Sequence, residues 1–197
     1  MEEQIIETAR QMFLEYGYKN TNMSDIAQKA GINRTSLHYY YNTKEKMFHA
    51  VFGQIIESFL PQIQDLLFKD IPFFSKCEAI IDIYFQIFLS NPSLPQFIIG
   101  EINRDLNNIT SVAYSIGFEN YIDTIIGIIN NEVEKGTIKQ VPIYYILMTF
   151  VSQVTFPFMA KNIIEDILIK DEKTLEDILE GWKAIIITQI KTLLEVK

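Results

Sequence analysis

Residues 21–47, TNMSDIAQKAGINRTSLHYYYNTKEKM, constrain the fold more than any other stretch, because they read as two short helices joined by a tight turn. Asn22 stands where a side chain can cap the first helix, Asp25 can answer from its first turn, and Ile26, Ala27 and Ala30 give it a narrow apolar face. Gly31 ends that helix, since glycine takes the left-handed backbone conformation that lets a chain stop and swing into a second helix. Ile32 and Leu37 bury the second helix, which leaves Asn33, Arg34, Thr35 and Ser36 at its leading edge. A helix that enters a major groove N-terminus first presents its side chains to base edges at that edge, so the layout predicts a helix-turn-helix DNA reader over about 22–41.

A chain of 197 residues has room for one such reader of about 50 residues and one larger domain. The expected division is a reader over 1–50 and a helical domain over 51–197. With 48% hydrophobic and 21% charged residues the composition is that of an ordinary globular protein. No uninterrupted apolar run reaches the roughly 18–20 residues a bilayer requires, and MEEQIIETAR is too acidic for a signal peptide. A cytoplasmic protein without a membrane partner is expected. The single Cys77 has no second cysteine to pair with and reads as a small apolar helix residue.

A net charge of −8 runs against a nucleic-acid partner, because phosphate neutralisation supplies most non-specific affinity. Its distribution answers the objection. Residues 1–50 hold six basic and six acidic side chains, whereas the remainder holds eleven and nineteen, so the whole excess is C-terminal. Arg34, Lys44 and Lys46 also cluster with His38, His49 and three tyrosines.

Along the rest of the chain the apolar residues recur at spacings of three and four, which predicts an all-α protein. A long segment from Lys44 to Phe68 should be kinked or divided by Pro61. Further helices are expected over about 75–90, 94–103, 110–135, 142–168 and 174–195, with loops at Asp70-Ile71-Pro72, Asn91-Pro92, Asn107-Asn108, Gly136 and Lys170-Asp171. No hairpin signal is present.

The first helix carries Ile5, Ile6, Ala9, Met12 and Phe13, followed by Tyr16-Gly17-Tyr18, Thr21, Asp25-Ile26-Ala27, Gly31, Leu37, Tyr39 and Lys44-Glu45. In this order and spacing, residues 1 to about 50 resemble the N-terminal domain of the TetR family of one-component transcriptional regulators. Asn22, His38 and Tyr40-Tyr41 depart from the usual residues of that pattern. The resemblance implies that Arg34 contacts guanine, that Asn22, Asn33, Thr35 and Ser36 read or position, and that Tyr39 and Lys44 grip phosphates, with His38 and Tyr40 as further backbone contacts. Tyr41 is expected to pack inward.

It also implies a helical ligand-binding and dimerisation domain. Residues 73–158 are rich in aromatics, which by themselves describe a packed core as readily as a cavity. Aromatic walls with a few polar groups suit an apolar small molecule, and the expected lining is Phe88, Phe97, Arg104, Tyr114, Phe118, Tyr121, Phe150 and Gln153. The last helix has an apolar face wide enough for more than one neighbour. By resemblance, Tyr145, Met148, Leu175, Ile178, Leu179, Trp182, Ile185, Ile186 and Gln189 are expected at a homodimer interface, presenting two readers to a palindromic duplex operator. Pro157 is expected to bend the preceding helix.

No cofactor or metal is expected: the two histidines are eleven residues apart with no cysteine or further histidine near either, and the acidic residues are scattered over helix faces. The expected function is a DNA-binding repressor released from its operator by an apolar or amphipathic effector. Two other readings remain open at this level: a regulator without a small ligand, whose second domain serves dimerisation or protein docking, and a helical enzyme with an apolar pocket.

Overall fold

The computed structural model describes residues 1–169 and 173–196, and every regular element among them is helical. They form two compact units, Met1–Leu60 with Gln96–Phe118, and Pro61–Pro95 with Glu119–Lys197. The unit that holds the reader includes, besides Met1–Leu60, all but the first two residues of the helix Leu94–Arg104 and the whole of the helix Leu106–Ser115. Among the described residues no single helix is long and apolar enough to cross a membrane.

In the first unit, α1 (Glu2–Asn20) buries Ile5, Ile6, Ala9, Met12 and Phe13 and breaks at Gly17, whose φ of 76° lies in the left-handed region. Thr21 holds that break: its buried hydroxyl lies 2.9 Å from the Gly17 carbonyl and 3.1 Å from the Met12 carbonyl and donates between them. The helices α2 (Met23–Lys29) and α3 (Arg34–Tyr40) are capped by Asn22, which accepts from the Asp25 amide, and by Asn33, which accepts from the Ser36 amide. Between them Gly31 takes φ 72°, and Ile32 donates back to the Ala27 carbonyl, closing the end of α2. Leu37 is fully buried. The long helix α4 (Lys44–Glu57) starts from a Thr43 cap and lays Met47, Phe48, Val51, Phe52 and Ile55 against α1 and its neighbours.

The expected helix over 44–68 divides at Ser58 and Phe59, and α5 (Leu60–Phe68) carries Pro61 in its first turn, where its missing N–H costs nothing. After α6 (Phe73–Ser90) and α7 (Leu94–Arg104), the expected helix over 110–135 is two, α8 (Leu106–Ser115) and α9 (Phe118–Glu134). Gly117 divides them at φ 69°. Its apolar neighbours Ile116 and Phe118 keep the helical spacing through the break, which hides it from a periodicity reading. The loop expected at Lys170-Asp171 lies outside the described residues.

The second unit packs α6 against α10 (Ile143–Met159) and α12 (Leu175–Leu194). Ile81, Phe85, Phe88, Val154, Phe158, Leu175, Leu179, Ile186 and Ile190 make its interior, and Lys183 of α12 pairs with Asp82 of α6 at 2.9 Å. Pro157 does not end α10. It removes the amide that would serve the Gln153 carbonyl, and the Trp182 indole N–H donates to that carbonyl at 3.0 Å. The bend falls instead at Ala160, where α10 and the segment Lys161–Leu168 diverge by 65°; this segment is α11 (Lys161–Ile163) followed by a π-helical turn over Ile164–Leu168.

Candidate nucleic-acid interface

The first turn of α3 places Arg34 and Thr35 on the surface, with Ser36 half-buried and Leu37 anchoring the helix beneath them. Arg34 is not loose. Its Nε–H donates to His38 Nε2 at 3.3 Å, and His38 Nδ1 lies 3.1 Å from the Asn42 carbonyl. Both bonds are satisfied by the neutral imidazole that carries its proton on Nδ1, donating to Asn42 and accepting from Arg34. The guanidinium is therefore held by its inner nitrogen, and its two terminal nitrogens form the fork that suits guanine O6 and N7.

The neighbours of Arg34 divide by what their polar atoms already do. Asn22 and Asn33 have their carbonyl oxygens committed to caps, so Asn33 has its amide nitrogen to offer a base or phosphate. Tyr39 is 85% exposed, and its ring meets that of Tyr40 edge-on at 5.4 Å. These two rings, with Met1, Asn33, Thr35 and Ser36, border a shallow depression of about 380 Å³ along the outer side of α3. Tyr41 is half-buried, and its hydroxyl donates to Glu2 at 3.0 Å; burial first, and then the Glu2 carboxylate, push it up to about 12.

Lys44, at the first position of α4, is half-buried. Its ammonium sits 4.3 Å from the centre of the Tyr18 ring and donates to the Lys19 carbonyl at 3.4 Å. Burial, and then the nearby Arg104 cation, lower its affinity for the proton. Arg104 comes from α7 and lies against the same ring at 4.0 Å while paired with Glu101, whose other oxygen accepts from the Tyr18 amide at 3.2 Å. His49 of α4 is hydrogen-bonded to Asn108 of α8. Sequence reasoning missed this layer of Tyr18, Glu101 and Arg104, since the partners lie 83 residues apart in the chain.

The residues expected to line an effector site do not all meet. Phe97 belongs to the first unit, packing on Phe48 at 6.0 Å and Phe52 at 6.4 Å, and Arg104 is committed there as described. Tyr114 also belongs to that unit and is exposed, and Phe118 is its last residue. The remaining residues include a cluster in the second unit: Phe88 and Phe150 each stand 5.8 Å from the Tyr84 ring, and Tyr121 shares a hydrogen bond with Tyr84. Burial pushes the hydroxyl pKa of both tyrosines up, so both remain neutral donors. Gln153, one turn beyond Phe150, has a buried side-chain oxygen without a hydrogen-bond partner. Elsewhere in the same unit a hollow of about 420 Å³ is lined by Ile126, Ile129, Asn130, Val133, Gln140, Val141, Pro142 and Ile143.

The expected dimer face separates into two sets. Leu175, Leu179 and Ile186 point into the chain's own core, Ile178 is half-buried, and the Trp182 indole is committed to the Gln153 carbonyl. The buried three are corrections: the wide apolar face of α12 serves its own α6 and α10 on that side. Tyr145, Met148, Ile185 and Gln189 are exposed, and Val151, Phe156 and Met159 extend the exposed apolar surface along α10. The outward side of α12 adds Gly181, Ala184, Thr188 and Thr192, none of them charged.

Burial pushes the Cys77 thiol up to about 12, which disfavours the nucleophilic thiolate at neutral pH. Among the described residues no group of three or more His, Cys, Asp or Glu side chains could hold a metal ion.

Residues 5–51 match the family model for bacterial regulatory proteins, tetR family. The chain is 26% identical over 121 residues to the biofilm operon icaADBC HTH-type negative transcriptional regulator IcaR of Staphylococcus epidermidis, a stretch that covers 58% of this chain and 65% of IcaR. It is 21% identical over 137 residues to the fatty acid metabolism regulator protein of Bacillus subtilis, covering 70% of each. Among solved structures, the transcriptional regulator FadR of Bacillus subtilis, in complex with stearoyl-CoA, superposes with a TM-score of 0.74 at 16% identity, covering 95% of this chain and 98% of that one. At that identity the likeness is one of fold.

Proposed function

We propose that the chain, whose residues 5–51 match the model of the tetR family of bacterial regulatory proteins, is a transcriptional repressor in which Arg34 recognises a guanine of the operator. The observation that carries the reading is the Arg34 guanidinium, exposed at the first position of α3 and held through Nε by His38. Thr35, Ser36 and the Asn33 amide reach adjacent bases or sugars, while Tyr39, Tyr40 and Lys44 contact phosphates. The operator is palindromic, and a homodimer joined through the exposed sides of α10 and α12 delivers two copies of α3 to half-sites one turn apart.

The test is selection of duplexes from random DNA by the purified protein, followed by fluorescence anisotropy at two salt concentrations. Wild type is expected to select a two-fold symmetric sequence and to bind it with a steep salt dependence. Arg34→Ala is expected to retain salt-sensitive binding and lose the preference for that sequence. Selection of no sequence by wild type, with or without an added effector, would defeat the reading.

The effector is an amphipathic molecule with an acyl or flat apolar body, taken up in the second unit. The Tyr84, Phe88, Tyr121 and Phe150 cluster supports this, as does the unpartnered Gln153 oxygen, which suits a donor on the ligand. The likeness in fold to a regulator solved with stearoyl-CoA makes long-chain acyl-CoA the first compound to try. Binding shifts the population towards a state with weaker operator affinity, and a coupling of about 1–3 kcal/mol gives roughly 5- to 150-fold release. A rise in melting temperature with stearoyl-CoA or a free fatty acid, lost in Phe150→Ala, is the expected outcome. No shift across acyl and aromatic ligands would favour the ligand-free regulator.

A further inference from the structure

Two cations share the Tyr18 ring, and the contacts that hold them there differ. Tyr18 is fixed, with its amide bonded to Glu101 and its ring packed on Phe13 at 5.9 Å and Phe48 at 5.1 Å. Arg104 is fixed by its ion pair with Glu101, a carboxylate only 5% exposed, and its guanidinium also reaches the Phe48 ring at 5.8 Å. Among the described residues Lys44 is held by the ring contact and one long hydrogen bond. Each cation gains from the ring and loses by the other's presence, and the loss is resolved when the one with the weaker contacts leaves. Arg104 also keeps a buried terminal nitrogen, Nη2, without a hydrogen-bond partner, a cost that its packing alone does not explain.

We propose that Arg104 is a positioning residue for DNA binding: from its fixed place on Tyr18 it opposes the Lys44 ammonium and keeps it available to a backbone phosphate. The proposal rests on the reading of Lys44 as a phosphate contact. When a phosphate approaches the start of α4, Lys44 exchanges the ring and the Lys19 carbonyl for it. Arg104 then keeps Tyr18 occupied, so the ring does not compete for Lys44. Without the Arg104 charge the ammonium settles on Tyr18, and one phosphate contact is lost.

A double-mutant cycle read by anisotropy, on a duplex that wild type has selected from random DNA, tests this. The pair Glu101→Gln with Arg104→Met removes both charges, leaves the local net charge unchanged and keeps an acceptor for the Tyr18 amide. It is expected to weaken binding roughly three- to tenfold and to reduce the salt slope by about 0.9, the value of one phosphate. Lys44→Met is expected to do the same, and all three changes together no more than either set. Losses that multiply, or a weaker affinity with the slope unchanged, would overturn the proposal in favour of a merely structural role.

If the charge-free pair does not fold, as judged by circular dichroism, Arg104→Lys keeps Glu101 paired and carries the cycle. It is then expected to weaken binding about two- to threefold with Lys44 present and to be silent in Lys44→Met; equal losses in both backgrounds would overturn the proposal. Failure of wild type to select any duplex would remove the function proposed above together with this inference. Selection followed by multiplying losses would remove this inference alone.

Discussion

At the proposed reading surface, the contact between Arg34 and His38 bears on how readily the guanidinium is ordered on a base. An exposed arginine samples many rotamers, and ordering it on a base costs entropy; the bond from its Nε to His38 removes part of that cost before DNA arrives. His38→Phe keeps a ring in place and removes the acceptor. It should lower the preference for the selected duplex over one changed at the Arg34-contacted base, while Arg34→Ala should lose about 1–3 kcal/mol of that discrimination; competition anisotropy with the two duplexes measures both. Cys77 gives a residue-scale prediction of the opposite kind. Since its thiol is pushed up to about 12, the nucleophilic thiolate is scarce in the folded protein at pH 8. Reaction with a disulfide reagent at pH 8 should be slow until denaturant is added, and should accelerate as pH rises towards that value. Arg34 was legible in the sequence because its position follows Gly31 by three residues. The support from His38 was not, because a histidine one turn along a helix serves equally as a phosphate donor.

At the scale of elements, glycine and proline account both for what was read from sequence and for what was missed. Gly31 adopts φ 72° with no atom within 4 Å of where a Cβ would stand, so Gly31→Ala meets a backbone penalty and no clash. It should cost about 1 kcal/mol or somewhat more in urea unfolding, with α3 otherwise in place. Pro157 is the more instructive case. A proline in a helix orphans the carbonyl four residues earlier, and here an indole from α12 satisfies it. Trp182→Phe is therefore expected to destabilise by about 1–3 kcal/mol when Pro157 is present, and by less in the Pro157→Ala background, where the restored amide serves Gln153; chemical denaturation of the four proteins closes the cycle. Spacing placed Trp182 on the apolar face of α12, and the family resemblance made that face an expected partner surface. Spacing reports which side of a helix a residue occupies and carries no information on which carbonyl lies opposite.

The whole molecule presents exposed apolar surface on α10 and, from Gly181 to Thr192 of α12, exposed residues that carry no charge, the surfaces through which the proposed homodimer would form. Met148 is 67% exposed and Phe156 61%, and Tyr145, Val151 and Met159 on the same helix are exposed with them. Met148→Lys should leave the melting of the monomer nearly unchanged, shift sedimentation at micromolar protein from dimer towards monomer, and weaken binding to a symmetric duplex far more than to a half-site. The helical class, the reader over 22–41 and most helix boundaries were determined by the sequence itself, because caps, glycines and 3.6-residue periodicity act on neighbours within a few residues of one another. Tertiary structure alone decided that Phe97 and Arg104 belong with the reader, that Leu175, Leu179 and Ile186 face their own core, and that Tyr18 gathers Lys44, Glu101 and Arg104 around one ring. An apolar or charged residue has many sterically suitable partners along 197 residues, and only the packing of distant segments selects among them.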